Sequence, residues 1–155
     1  MKFLGAITSY VNIGFSTSTK NGQTAHNIAV SRMLLTGIKG TYPGYELDYP
    51  NIQVSDGTLR SPDNIQARLL GNDIILTWDV PHGEPVMRSW DQVMAICCDG
   101  ADRAYILYNG ARVTVGSETL PVQANYRKRP YHVYVSFISN DRKLISKSVY
   151  AGMIE

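Results

Sequence analysis

The stretch Asp73-Ile74-Ile75-Leu76-Thr77-Trp78-Asp79-Val80-Pro81 carries an apolar side chain at every second position between Ile74 and Val80. Side chains two residues apart lie on the same face of a β-strand, so this alternation predicts a strand with one apolar face. Pro81 ends the pattern, because proline has no backbone N–H to donate within a sheet. The stretch therefore predicts a β-strand that contributes one face to a core.

Similar short segments surround this strand from about Ser61 to the C-terminus. Predicted strands cover residues 65–69, 74–80, 93–98, 104–108, 112–115, 120–122, 131–138 and 144–150. Turn signals such as Asp99-Gly100 and Asn109-Gly110 separate them. No segment of helical length lies between the strands, which argues against an alternating α/β fold with a parallel sheet. Short strands with regular turns are typical of an antiparallel β-sandwich.

The first 40 residues have a different periodicity, which predicts two helices. Residues 3–15 carry apolar side chains at spacings of four, and residues 24–36 begin at Thr24, a suitable N-cap. The apolar residues of the second segment cover more than one helix face, which predicts burial on two sides or against a partner. An alternating, extended segment follows at residues 45–49. We therefore divide the chain into a helical hairpin with an extended connector, residues 1–58, and a sandwich, residues 59–155.

Two parts of the sandwich region resemble the fibronectin type III fold. Residues 61–67 with 73–81 are similar to its first two strands, and residues 131–139 with 146–150 are similar to its last two. The resemblance implies that Trp78 fills the core. One face of the predicted strand at 131–138 can meet Trp78 across about 10 Å of core, and its residues are Tyr131, Val133, Val135 and Phe137. The predicted fold class is mainly β, a fibronectin-III/Ig-like antiparallel β-sandwich preceded by a helical hairpin.

A second resemblance covers nearly the whole chain. It rests on the segments Asn12-Ile13-Gly14-Phe15, Gly40-Thr41-Tyr42-Pro43, Glu46-Leu47-Asp48-Tyr49, Ile75-Leu76-Thr77-Trp78, 133–139 and 146–152. On these segments the chain resembles the C-terminal three-quarters of an uncharacterised family, found mainly in Bacteroidota and described only as a domain of unknown function. Members usually begin with a Gly- and Lys-rich segment that this chain lacks. The family has no established activity, so the resemblance assigns no functional residues.

The composition is that of a folded protein, with 44% hydrophobic and 18% charged residues. The charge is uneven, because residues 123–150 contain six Lys or Arg and one acid, whereas the rest contains nine bases and twelve acids. No apolar run approaches the roughly 20 residues of a membrane span. The apolar start at residues 1–7 is broken by polar residues from Thr8 onward, and no clean signal-peptide cleavage site follows it. We expect a cytoplasmic or particle-associated protein.

Patterns for catalysis or metal binding are missing from the sequence. The adjacent Cys97 and Cys98 point to opposite faces of an apolar strand, which predicts inert buried thiols without a disulfide between them. Glu46 and Asp48 share a strand face, as paired catalytic acids can, but solvated acids are the expected reading. The histidines are dispersed and have no metal-ligand spacing, with His132 expected beside Tyr134 on an outward strand face: His26, His82 and His132. We therefore predict no enzyme activity, catalytic residue, cofactor or metal.

Two local features suggest binding. The run Tyr126-Arg127-Lys128-Arg129-Pro130-Tyr131 flanks basic side chains with tyrosines, which can hold phosphates and stack bases. Trp90 lies near Val86 and Met87, and is either an exposed anchor for a protein partner or a cap on one end of the sandwich. The candidate binding residues are Tyr126, Arg127, Lys128, Arg129 and Trp90.

Two functions fit these observations. The preferred interpretation is a non-enzymatic structural or protein-interaction module, such as a subunit of a surface, phage-derived or injection-type assembly, because the second helix has two apolar faces. The alternative is a glycan- or nucleic-acid-binding module that uses the basic loop at residues 126–131. Self-association or a protein partner is expected in the first case.

Overall fold

The computed structural model describes residues 2–20, 22–41, 43–71, 73–80, 90–99, 103–121 and 130–154. Within these ranges the protein is mainly β, with short helices at its N-terminus and nine strands in antiparallel sheets. The first elements are α1 (Lys2–Ala6), α2 (Thr8–Gly14), α3 (Ala25–Thr36), β1 (Ile38–Lys39) and β2 (Glu46–Leu47). The later strands are β3 (Gln66–Leu70), β4 (Asp73–Thr77), β5 (Gln92–Cys98), β6 (Ala104–Leu107), β7 (Ser117–Pro121), β8 (Tyr131–Ile138) and β9 (Val149–Ile154).

The helical region follows the sequence prediction with one difference. The predicted helix at residues 3–15 is divided into α1 and α2, because Ile7 has φ −111° and ψ 10° and interrupts the helical backbone. Its N–H bonds to the carbonyl of Leu4 at 3.3 Å, three residues back as in a 3₁₀ turn. The predicted N-cap is confirmed, since Thr24 Oγ1 accepts the N–H of Asn27 at 3.1 Å.

Two sheets pack face to face and form the sandwich. One has the strand order β3-β4-β7 and the other has the order β6-β5-β8-β9. Their inner faces share a core in which the Trp78 and Phe137 rings meet edge to face, with centroids 5.2 Å apart. The Trp78 indole N–H donates to the carbonyl of Val113 at 2.8 Å, so its polar atom is also satisfied. The predicted face of β8 is confirmed in this core, which contains Tyr131, Val133, Val135 and Phe137.

The N-terminal helices pack on the outer face of the four-stranded sheet. A second core joins α1, α2 and α3 to the side chains of β5 and β8 that point away from the first core. Members of this second core include Ile7, Tyr10, Val11, Met33, Met94, Ile96, Tyr134 and Ile138. The four-stranded sheet is therefore the middle of three layers, with the three-stranded sheet on one side and the helices on the other.

The segment at residues 52–59 lies between the helices and the sandwich. Asp56 N–H donates to the carbonyl of Gly14 at 3.0 Å, and Leu59 N–H donates to the carbonyl of Ile145 at 3.1 Å. The approach is close, because a Cβ on Gly14 would lie 2.1 Å from the Val54 carbonyl oxygen. A side chain larger than hydrogen at position 14 would push the segment away from α2.

Two predicted strands have a different local structure. Residues 112–115 contain a 3₁₀ helix, Val113–Val115, which ends at Gly116 with φ +81°. The turn brings the Val113 carbonyl to the Trp78 indole, and this tertiary contact outweighs the β-propensity of valine. At residues 45–49 only β2 is extended, and a 3₁₀ helix at Tyr49–Asn51 follows it. Pro50 suits the first turn of such a helix, because no N–H is needed there.

The last predicted strand is interrupted and displaced toward the C-terminus. In the stretch 144–150, Ile145 and Ser146 form only isolated bridges, with Ile138 and Leu59 respectively. Regular pairing with β8 begins at Val149 and continues to Ile154. Residues 145–148 therefore divide their backbone hydrogen bonds between β8 and the 52–59 segment, which the local sequence pattern does not reveal.

Candidate functional site

The predicted binding residues divide between described and undescribed parts of the chain. Trp90 lies two residues before the start of β5, and 46% of its surface is exposed. The guanidinium carbon of Arg112 lies 3.9 Å from the centre of its ring, a cation–π contact that covers one face of the indole. The basic residues Arg127, Lys128 and Arg129, with Tyr126, lie outside the described residues, as do Val86 and Met87.

The two cysteines occupy opposite faces of β5, as predicted. Cys97 belongs to the core between the sheets and Cys98 to the core beneath the helices, and both are buried thiols outside any disulfide. Burial, with a smaller contribution from the charge of Asp99, raises the pKa of Cys97 to about 12. A thiol that resists ionisation is poorly suited to nucleophilic attack or to metal binding.

His132 lies on the same face of β8 as Tyr134, but that face is covered, so the expected outward position is wrong. Its ring stacks on Tyr49 with centroids 3.4 Å apart, and its Nδ1 lies 2.7 Å from the Tyr150 hydroxyl. The Tyr134 hydroxyl donates to the Tyr49 carbonyl at 2.8 Å. Burial lowers the pKa of His132, which favours the neutral ring. This aromatic cluster attaches the 3₁₀ turn at Tyr49–Asn51 to the sheet.

A chain of buried hydroxyl groups connects four separate parts of the fold. Tyr10 donates to Ser136 Oγ at 2.9 Å, Ser136 and Ser55 lie 2.6 Å apart, and Ser55 donates to the Ser146 carbonyl at 2.8 Å. Ser55 has one hydroxyl proton, which it donates to the Ser146 carbonyl, so its oxygen accepts the proton of Ser136. The three hydrogen bonds therefore run in one direction. Burial raises the pKa of Tyr10 well above its usual range. The sequence signal for this chain was a serine within the largely apolar β8.

A cavity of about 660 Å³ opens on the surface where the α2–α3 loop, one side of α3 and residues 56–58 meet. Its lining combines hydroxyl, charged and aliphatic side chains, including Ser18, Lys20, Ser31, Arg32, Asp56 and Leu144. Arg32 forms an ion pair with Asp56 at 2.9 Å, and its other terminal nitrogen donates to Gln53 at 2.6 Å. Sequence reasoning missed this groove, because its residues come from distant parts of the chain.

The α3 helix has apolar side chains on buried and exposed surfaces. Ile28, Ala29 and Met33 are buried against the rest of the protein. Leu34 and Leu35 near the C-terminal end of the helix are 62% and 76% exposed. Single exposed apolar residues are common, but two large adjacent ones on a helix form a surface suited to contact.

Metal binding, paired catalytic acids and a membrane-spanning helix have little support in the described part of the chain. No group of three or more His, Cys, Asp or Glu side chains there is arranged to hold a metal ion. Glu46 lies in β2, and Asp48 is the first residue after that strand. The Asp48 carboxylate accepts a hydrogen bond from the side-chain amide of Asn51 at 2.7 Å. Among the described helices, none has the length and apolar character needed to cross a membrane.

The chain was compared with known families, curated proteins and solved structures. The family DUF6266, described as a family of unknown function, matches residues 1–152. No curated protein and no solved structure matches the chain. The match extends across the helices, the 52–59 segment and the sandwich.

Proposed function

The chain belongs to this family of unknown function, and from its geometry we propose that it is a non-enzymatic structural or protein-interaction module. The observation that carries this proposal is the exposure of Leu34 and Leu35 on α3. Covering a leucine side chain that water now surrounds contributes about 1.5–3 kcal/mol to association before the costs of binding. A helix with one face in the core and apolar residues on another is suited to joining two proteins.

The proposal extends to the kind of assembly. A three-layer unit with an exposed apolar helical surface is suited to a subunit of a surface, phage-derived or injection-type particle. The sheet orders β3-β4-β7 and β6-β5-β8-β9 support a relationship to fibronectin type III sandwiches, and we propose a Bacteroidota origin from the resemblance of the sequence. Both parts of the proposal are analogies of fold and sequence, which carry no residue-level activity.

The interaction surface is tested by light scattering on two matched double variants. Leu34→Ser/Leu35→Ser removes the apolar residues of α3, whereas Leu69→Ser/Leu70→Ser removes two on β3 that are 41% and 62% exposed. We expect the unmodified protein to self-associate as its concentration rises, and we expect only the α3 variant to reduce its average mass. A monomer at all concentrations up to about 1 mM, corresponding to an association weaker than about 4 kcal/mol, would contradict self-association.

A glycan- or nucleic-acid-binding module is the second candidate. It is favoured by the excess of basic residues at 123–150 and by the half-exposed Trp90, whose ring is available to stack beside Arg112. Binding to heparin or to a single-stranded oligonucleotide that persists at about 0.3 M salt would support it. The same binding should be lost in the triple variant Arg127→Ala/Lys128→Ala/Arg129→Ala.

A further inference from the structure

The groove beside α3 has the dimensions of a binding site. Its volume of about 660 Å³ lies within the range of roughly 300–1,000 Å³ that is usual for ligand sites. Its residue 57 must be glycine, because a Cβ there would lie 2.1 Å from the Ile145 carbonyl oxygen. The wall at residues 56–58 is thus held against the sandwich, and the groove is formed by a packed backbone rather than by exposed side chains alone.

The charges in this groove leave a surplus of positive groups. Both oxygens of the Asp56 carboxylate are engaged, since one accepts the Gly57 N–H and the other accepts a hydrogen bond from Arg32, both at 2.9 Å. Lys20 has no ion-pair partner among the residues that the structure describes. Two cations therefore face one neutralised carboxylate, and the groove carries a net charge of about +1.

Arg32 is held in position but retains hydrogen-bonding capacity. It donates to Gln53 through one terminal nitrogen and to Asp56 through the other. A guanidinium has five N–H donors, so within the described contacts about three remain. An arginine that is already oriented loses little conformational entropy when it binds a carboxylate, and such charge-assisted bonds are the stronger ones.

The other residues that line the groove indicate what kind of molecule would bear the carboxylate that Arg32 binds. Hydroxyl groups such as those of Ser18 and Ser31 can bond to peptide groups, and Ile28 and Leu144 supply apolar contact. The described lining contains no aromatic ring on which a base could stack, which disfavours nucleic acid. We propose that this groove binds an extended acidic peptide segment of a protein partner, an inference that rests on the proposed interaction function.

The test is a ¹H–¹⁵N NMR titration with three probes of similar size: acetylated and amidated tri-glutamate, tri-glutamine with the same ends, and a tri-glucuronate oligosaccharide. We expect tri-glutamate to shift amide signals at residues 17–20, 31–32 and 56–58, with a Kd on the order of 1 mM. Tri-glutamine should bind at least about fivefold more weakly, since it offers no charge. The oligosaccharide should also bind more weakly than tri-glutamate.

Two charge-reversal variants serve as a matched pair. Lys20→Glu should weaken tri-glutamate binding about fivefold or more, whereas Arg68→Glu, on the exposed face of β3, should leave it unchanged. The proposal is overturned if tri-glutamate shifts no groove signal at about 10 mM, if both variants weaken it equally, or if the oligosaccharide binds more tightly. Because light scattering of the α3 variants is a separate measurement, failure here would leave the interaction through Leu34 and Leu35 standing.

Discussion

The two sheets of the sandwich share a core but differ on their outer faces. The outward side chains of the three-stranded sheet include Arg68 on β3 and Thr119 on β7, and both are exposed. In the four-stranded sheet every one of the eight residues of β8 is buried. The difference arises because the helices and the 52–59 segment cover the second sheet but not the first.

Because of this difference, a polar side chain needs a hydrogen-bond partner within the protein on the covered face but not on the exposed face. On the exposed face, Thr119 can bond to water, and its replacement costs little. On the covered face, a polar side chain without a partner would cost about 1–3 kcal/mol. His132 and Ser136 both have partners there, Tyr150 and Tyr10 respectively. The covering layer is therefore held by specific hydrogen bonds as well as by apolar packing.

The largest effect is expected from the core that both sheets share. Trp78→Ala removes the ring that meets Phe137 and should lower the free energy of unfolding by about 3–5 kcal/mol. Trp90→Ala is the matched control, because its ring is half-exposed and its contact with Arg112 is worth about 0.5–1 kcal/mol. Urea denaturation measures both. Equal destabilisation by the two changes would contradict the core between the sheets.

The next effect concerns the contact between α2 and the 52–59 segment. Gly14→Ala places a methyl group against the Val54 carbonyl and should cost about 1–3 kcal/mol or more. Gly5→Ala is the control in α1, where the new Cβ would have no described atom from outside its own helix within 4 Å. Because alanine forms helices more readily than glycine, Gly5→Ala should leave the free energy of unfolding unchanged or raise it by up to about 1 kcal/mol. Thermal denaturation distinguishes them, and a harmless Gly14→Ala would refute the close approach.

A smaller effect is expected from the hydroxyl chain. Ser136→Ala leaves the buried Tyr10 hydroxyl without its acceptor and should cost about 1–3 kcal/mol, whereas Thr119→Ala on the outer face should change stability by about 0.5 kcal/mol at most. Tyr10→Phe should then partly rescue Ser136→Ala, because it removes the orphaned hydroxyl. Strict additivity of the two changes in a double-mutant cycle would show that the bond contributes nothing.

The smallest effect is a dependence of stability on pH. The pKa of His132 is lowered in the folded protein, so the unfolded chain binds more protons near the ordinary value of 6.5. Its contribution to stability is thus present above pH 6.5 and is lost as the pH falls through the lower folded value. His132→Gln should reduce the loss of stability between pH 8 and pH 5 in urea titrations, with His26→Gln, at an exposed position of α3, as the control. An unchanged pH profile in His132→Gln would refute this contribution.

Much of the sandwich could be predicted from local patterns. The alternation at residues 73–81 located β4, and it also indicated that Ile74, Leu76 and Trp78, which follows the strand, face the core. The same reasoning predicted the inward face of β8 and the Thr24 cap of α3. These features depend on periodicity and on short-range hydrogen bonds, which the order of residues along the chain encodes directly.

The sequence by itself thus determined most of the strands, the Thr24 cap and the predicted residues of the shared core, starting from the alternation around Trp78. Only the tertiary structure decided what covers the outer face of the four-stranded sheet, and which turns replaced predicted strands. The groove shows why, since Arg32 and Asp56 are 24 residues apart and meet only when α3 and the 52–59 segment pack together. Such contacts depend on which layers pack against each other, and local periodicity does not encode the packing of layers that are distant in sequence.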